Sequence, residues 1–195
     1  MRQFIREALD AAALFIVVFA ALYFSVQNIR IDGMSMYPTV ISEQHIIVSK
    51  LAYVGLNPAA LKRFVPFVER SEAQGSLIVS QLPDYGDMIA FLYPEDPSRE
   101  FVKRVIGLPG DYIEIDRGQV IRNGEPLDEP YVVNADTRSF ERTWVPPNSI
   151  YVLGDNRPVS SDSRSWGAVK DQFIIGRTWL SYWPSERIAF PHGPW

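Results

Sequence analysis

The sequence predicts a mainly β domain behind a single N-terminal apolar helix. Three observations carry this: one uncharged run near the start, fifteen prolines and twelve glycines that punctuate the remainder, and short segments rich in Val, Ile, Phe and Tyr between them. Strands joined by tight turns give that pattern. The 195 residues accommodate one membrane segment and one domain of about 170 residues, large enough to bury a core without cross-links.

The first element is "AAALFIVVFAALYFSV" at 11–26, which carries no charge. Extended back to Leu9 it makes 18 residues, about 27 Å of helix at ~1.5 Å per residue, so 9–26 is expected to be a single transmembrane helix. A cleavable export signal competes with a retained anchor, but the small-residue pair Val18 and Ala20 lies inside the apolar run instead of after it. Arg2 and Arg6 precede the run and Arg30 is the nearest positive charge behind it. That bias places residues 1–8 in the cytoplasm and 27–195 on the outer face of the cytoplasmic (inner) membrane.

Candidate strands follow at 45–54, 87–93, 100–108, 112–124, 149–154 and 173–183. Within 112–124, "DRG" and "RNG" are turn signals that split the segment into a hairpin. The stretch 55–82 differs, because Pro58 opens "AALKRFVPFVER" like a helix and Pro66 interrupts it. It is expected to be an insertion or flap, with the apolar residues at 64–67 either packed within it or dipping into a lipid interface.

Composition excludes several functions. A net charge of −4 without any Lys/Arg-rich tract gives no field for nucleic acid. The absence of cysteine removes disulfides, thiolate metal sites and Cys nucleophiles. His45 and His192 are the only histidines, and neither they nor the scattered carboxylates form a ligand cluster, so no metal or other cofactor is expected.

Nucleophilic chemistry is the next class to weigh. "GMSMYPT" at 33–39 holds Ser35 nine residues past Val26, where it is either a turn residue or a nucleophile. A serine hydroxyl needs a base, and neither histidine has an evident Asp partner. Lys103 is the other possibility. If "FVKRVI" is a strand, Phe101, Lys103 and Val105 share one face while Val102, Arg104 and Ile106 share the other, so one of the two charges must face inward. A buried lysine whose pKa falls from about 10.4 to ~8 loses about 3 kcal/mol, but roughly a tenth of it is neutral at pH 7, enough for a general base. Arg104 cannot serve, since a guanidinium keeps its proton. The alternative leaves both charges on an exposed face or at the sheet edge.

The four blocks "GMSMYPT" (33–39), "GDMIAF" (86–91), "VKRVIGLPGD" (102–111) and "GDNRPVSSDSRSWG" (154–167), in this order behind the apolar run, resemble the sequence boxes of bacterial type I signal peptidases. The resemblance implies a β-rich signal-peptidase-type catalytic domain. It also implies a membrane-anchored serine endopeptidase that removes N-terminal signal peptides from exported preproteins after small residues, through a Ser-Lys dyad and an acyl-enzyme. By motif position, Ser35 is the nucleophile and an oxyanion donor through its own N–H. Lys103 is the general base, Ser160 orients the lysine amine, and Asp162 with Arg164 supports the loop. Some members carry a serine at the position of Gly33, whose hydroxyl is a second oxyanion donor; here that donor must come from elsewhere.

The substrate is then expected to lie extended beside Ile29, Ile31 and Val102, with Met36 at the same site, either in contact or as core. Its partners are membrane-bound preproteins and the lipid bilayer, without nucleic acid, and the chain acts as a monomer. The competing reading is a non-catalytic, membrane-tethered β domain that binds partners; it requires Lys103 exposed and Ser35 far from it.

Overall fold

The computed structural model describes residues 2–56 and 78–191. Most of the expected 55–82 flap, including 64–67, and His192 lie outside the described residues.

The chain opens with α1 (Arg2–Ser25). Arg6, Glu7 and Asp10 occupy its first turns, and Val26 begins the first strand. Only the fifteen residues 11–25 are therefore both helical and uncharged, about 22 Å of helix against a hydrocarbon layer of ~30 Å. Among the described residues no helix is long and apolar enough to cross a membrane. The expected transmembrane helix at 9–26 is corrected on this ground, because that count included Asp10 and a residue of the following strand. The inner-membrane topology with a cytoplasmic N-terminus rested on the span and is corrected with it.

The remainder is β, as the punctuation by Pro and Gly indicates. The strands are β1 (Val26–Arg30), β2 (His45–Ser49), β3 (Val54–Leu56), β4 (Ile78–Ser80), β5 (Met88–Tyr93), β6 (Asp96–Gly107), β7 (Tyr112–Asp116), β8 (Gln119–Arg122), β9 (Glu125–Pro126), β10 (Phe140–Trp144), β11 (Ser149–Leu153), β12 (Val169–Lys170) and β13 (Ile174–Trp183). A single helical turn, α2 (Ser163–Trp166), follows β11. The expected hairpin is present: β7 and β8 pair across Arg117 and Gly118, both at positive φ as a tight two-residue turn requires.

Seven strands form the main antiparallel sheet in the order β1-β2-β13-β5-β6-β11-β12. A four-stranded sheet, β10-β7-β8-β9, and the β3-β4 pair complete the fold. Alternation divides the interior. Ile29, Ile31, Ile46, Val48, Met88, Ala90 and Val102 pack on one face with Met36 and Val40. Ile89, Phe91, Val105, Ile150 and Val152 pack on the other. Each such side chain stabilises the fold by ~1.5–3 kcal/mol when fully withdrawn from water.

Two strand edges of the main sheet are left open close to each other. β1 is the terminal strand and, among the described residues, pairs only with β2. β11 pairs β6 from Arg104 to Gly107 and leaves the outer edge of β6 before Arg104 uncovered. Gln27 Nε2 donates to Glu100 Oε1 at 2.8 Å, so β1 and β6 approach each other although they share no ladder.

Candidate active site

The loop after β1 carries Ser35. It is folded by Tyr37 N–H donating to Met34 O at 3.2 Å and Val40 N–H to Met36 O at 2.9 Å. Gly33 begins it at φ +103°, a conformation that an L side chain rarely adopts. The loop is pinned from the far end of the sequence. Asn156 donates its backbone N–H to Ser35 O and its Nδ2 to Met34 O, both at 3.0 Å, while Asn134 Nδ2 donates to Asn156 Oδ1 at 3.2 Å. Thr39 Oγ1 donates to Asp155 Oδ2 at 2.5 Å.

Strand β6 brings Lys103 to this loop, 68 residues away in sequence, with Nζ 2.7 Å from Ser35 Oγ. A second bond runs from Nζ to Val102 O at 3.0 Å, and the Phe101 ring lies 5.2 Å away. Lys103 is only 4% exposed. Burial pushes its amine down from 10.5 to about 8, against the partial opposition of Asp162 and Asp155, which favour the charged form.

The sequence allowed one inward charge in "KR"; both are inward. Arg104 is 1% exposed on the opposite face of β6. It donates to Asp155 through Nε (2.8 Å) and Nη2 (2.7 Å) and to Gly86 O through Nη1 (2.9 Å), with its guanidinium 4.0 Å from the Tyr131 ring centre.

The 154–164 loop closes the site. Asp162 caps α2 and accepts from Arg164 Nε (2.7 Å), Arg164 Nη2 (2.8 Å) and Gly154 N–H (3.0 Å). Arg164 also reaches Asp136 Oδ2 at 3.0 Å and Arg157 O at 2.7 Å. Asp162 and Arg164 are thus joined in a bidentate ion pair. Ser160 Oγ is buried and has no hydrogen-bond partner among the described residues, Lys103 Nζ included. It crowds Gly154: a Cβ there would overlap Ser160 Oγ and lie 2.6 Å from Ser35 O. Only glycine lets these two serines approach across the loop.

Of the other expected site residues, Ile29, Ile31, Met36 and Val102 join one apolar cluster and, with Ser35 and Lys103, line a cleft of about 240 Å³. Met36 is 2% exposed, so it is core at the wall of the cleft. Gly33 N–H donates to Ser42 Oγ at 3.2 Å, and the space where a side chain at Gly33 would begin is open. His45 lies apart, on β2 against Tyr182. Among the described residues no group of three His, Cys, Asp or Glu could hold a metal ion.

The Asn156 clamp, the Arg104–Asp155 pair and the Arg157–Glu129 pair (Nη2 to Oε1, 2.5 Å) escaped the reading of composition and spacing. "GDNR" resembles a solvated turn, and the partners of its charges lie far off, Arg104 at 51 positions and Glu129 at 28. An acid and a base flanking Asn in a glycine-led turn were the available signal.

The arrangement is a buried Ser-Lys contact beside an apolar cleft with open strand edges, a set of parts suited to acyl transfer on an extended peptide. Comparison with known proteins agrees. The family model described as "Signal peptidase, peptidase S26" matches residues 4–183. The chain is 36% identical to the signal peptidase I of Leptolyngbya laminosa, over 82% of this chain and 70% of that one. It is 35% identical to the signal peptidase I of Bacillus caldolyticus, over 89% and 88%. A probable signal peptidase I-1 of Synechocystis sp. is 32% identical over 95% of this chain and 86% of that one. With a family match over most of its length and relatives of this identity, the chain belongs to the signal peptidase family, peptidase S26.

Proposed function

We propose that this protein is a serine endopeptidase that removes signal peptides from secreted preproteins, with Ser35 as nucleophile and Lys103 as general base. The observation that carries the reading is the 2.7 Å contact between Lys103 Nζ and Ser35 Oγ at a lysine withdrawn from water. A tethered binding domain requires the opposite, a solvated lysine remote from the serine.

The neutral amine of Lys103 accepts the proton of Ser35 Oγ, and the oxygen attacks the carbonyl carbon of the scissile bond. The loop's own turns use the N–H groups of Tyr37 and Val40 and leave that of Ser35 to hold the oxyanion. The ammonium returns its proton to the leaving amine. The same lysine then deprotonates the water that hydrolyses the acyl-enzyme. Ser160, whose buried hydroxyl is otherwise unused, orients the amine, and Asp162 with Arg164 fixes the loop that carries it. No step requires a metal or a nucleotide.

The substrate chain fits as an added strand between the uncovered edges of β1 and β6. Its segment before the scissile bond runs from Ser35 along Ile31 and then Ile29 with Val102. A narrow apolar wall of this kind suits small side chains. The test is cleavage of a purified preprotein by wild type, Ser35→Ala and Lys103→Ala. Each variant should lose at least about 10³-fold in kcat/KM, and undiminished cleavage by either ends the proposed dyad.

A further inference from the structure

We infer that Glu100, held by Gln27, determines specificity at the fifth residue before the scissile bond. It favours a cation or hydrogen-bond donor there and disfavours a carboxylate. The inference rests on the Ser35–Lys103 reading and extends it to a position beyond the apolar pockets.

In an extended peptide, side chains on one face recur every two residues, ~6.6 Å apart. The walls of the cleft have the same period. Along β1 and the residue after it the inward series is Ile31, Ile29, Gln27, with Ile29 buried, Gln27 half-buried and the intervening Asn28 exposed. On β6 the matching series is Val102, Glu100. A strand laid between them therefore meets Ile31 with its first residue before the bond, Ile29 and Val102 with its third, and Gln27 and Glu100 with its fifth.

The third pair differs chemically from those nearer the serine. Gln27 Nε2 donates to Glu100 Oε1 at 2.8 Å, which fixes the carboxylate at the end of the cleft and leaves its second oxygen free to accept. Glu100 lines the cleft itself. Two arginines also line the cleft, and both have partners: Arg99 sits over the Phe101 and Tyr93 rings, and Arg30 is paired with Glu43. A substrate Lys, Gln or Ser at the fifth position gains a charge-assisted hydrogen bond, whereas Asp or Glu meets like charge.

The experiment measures kcat/KM for peptides that differ only in the fifth residue before the cleaved bond, as Lys, Gln, Ala or Asp. Wild type should prefer Lys to Asp by about fivefold at low salt, as an exposed pair allows. The preference should shrink at about 0.5 M salt. Glu100→Gln should flatten the Lys–Asp difference, and Glu100→Lys should reverse it. Because Glu100 is exposed, both variants are expected to fold, and each is judged by the ratio between its own substrates. If both keep the wild-type order while Ser35→Ala is inactive, the inference about Glu100 fails and the dyad stands. If Ser35→Ala still cleaves, the dyad reading fails and the inference goes with it.

Discussion

Lys103 and Arg104 are sequence neighbours and buried cations, and they occupy opposite faces of β6 under opposite conditions. Arg104 is compensated: a bidentate carboxylate, a carbonyl and an aromatic face surround its guanidinium. It lies between the apolar clusters containing Val102 and Ile106 and ties β6 to Asp155, next to the residue that clamps the Ser35 loop. Among the described residues Lys103 has a hydroxyl, a carbonyl and a ring, and no carboxylate there pairs with it. Its amine is left easy to deprotonate. One face of the strand is fully compensated, and on the proposed dyad the other is left incomplete for reactivity.

The comparison breaks most directly through stability. Arg104→Met strands Asp155 as a buried charge and should lower unfolding free energy by ~3–5 kcal/mol, roughly 10 °C in Tm for a domain of this size. Lys103→Met should do the reverse. It removes a cation whose pKa stands near 8 against 10.5, a penalty of about 3 kcal/mol, or one to two buried Ile side chains. Cleavage should vanish while Tm rises. Denaturant unfolding of both variants checks this, and equal losses would put the two cations in one class.

The next effect is on pH. The folded pKa of Lys103 lies below its unfolded value. Below about 8 the lysine is charged in both states and the burial penalty is complete. Between about 8 and 10.5 the unfolded chain holds a proton that the folded chain does not, so this group makes stability rise with pH; above 10.5 the penalty is gone. Activity follows the neutral amine and should rise about fivefold from pH 7 to 8, with an apparent pKa near 8 in kcat/KM. Lys103→Met should lose its share of the stability slope. A flat rate profile across this range would remove the lysine from the proton transfer.

How much of this was legible in the sequence depended on the distance over which each residue acts. Alternation in "FVKRVI" correctly put Lys103 and Arg104 on different faces, because strand period is local. It could not tell that both faces are buried, since the covers are β11, the Ser35 loop and α2, all remote in sequence. The β5, β6, β11 and β13 segments and the 112–124 hairpin were readable from apolar runs and turn residues. β10, with four of its five residues exposed, gave no alternation to read. The apolar run misled because hydropathy does not mark where a helix ends: Val26 is as apolar as what precedes it, yet it pairs with Ser49. Four boxes pointed to Ser35, Lys103 and Ser160, but the forces that hold their segments together come from Asn156, Asp155 and Asn134, and Asn134 lies outside those boxes.

Ser160 gives the smallest expected effect and the finest test of the contrast. If the Lys103 face is left incomplete for reactivity, its unpartnered hydroxyl belongs to the reaction and not to the fold. A buried hydroxyl without a partner costs ~1–3 kcal/mol, so Ser160→Ala should leave stability unchanged or raise it by about 1 kcal/mol. The lysine, losing the hydroxyl proposed to orient it but not its proton affinity, should still act as the base from fewer productive orientations. That lowers kcat by roughly 10–100-fold with little change in KM. A structural hydroxyl would give the converse, a loss of stability with kcat intact, because its bonds would support the loop beside Gly154 and not the amine. Unfolding and single-turnover cleavage measured on the same preparation separate the two.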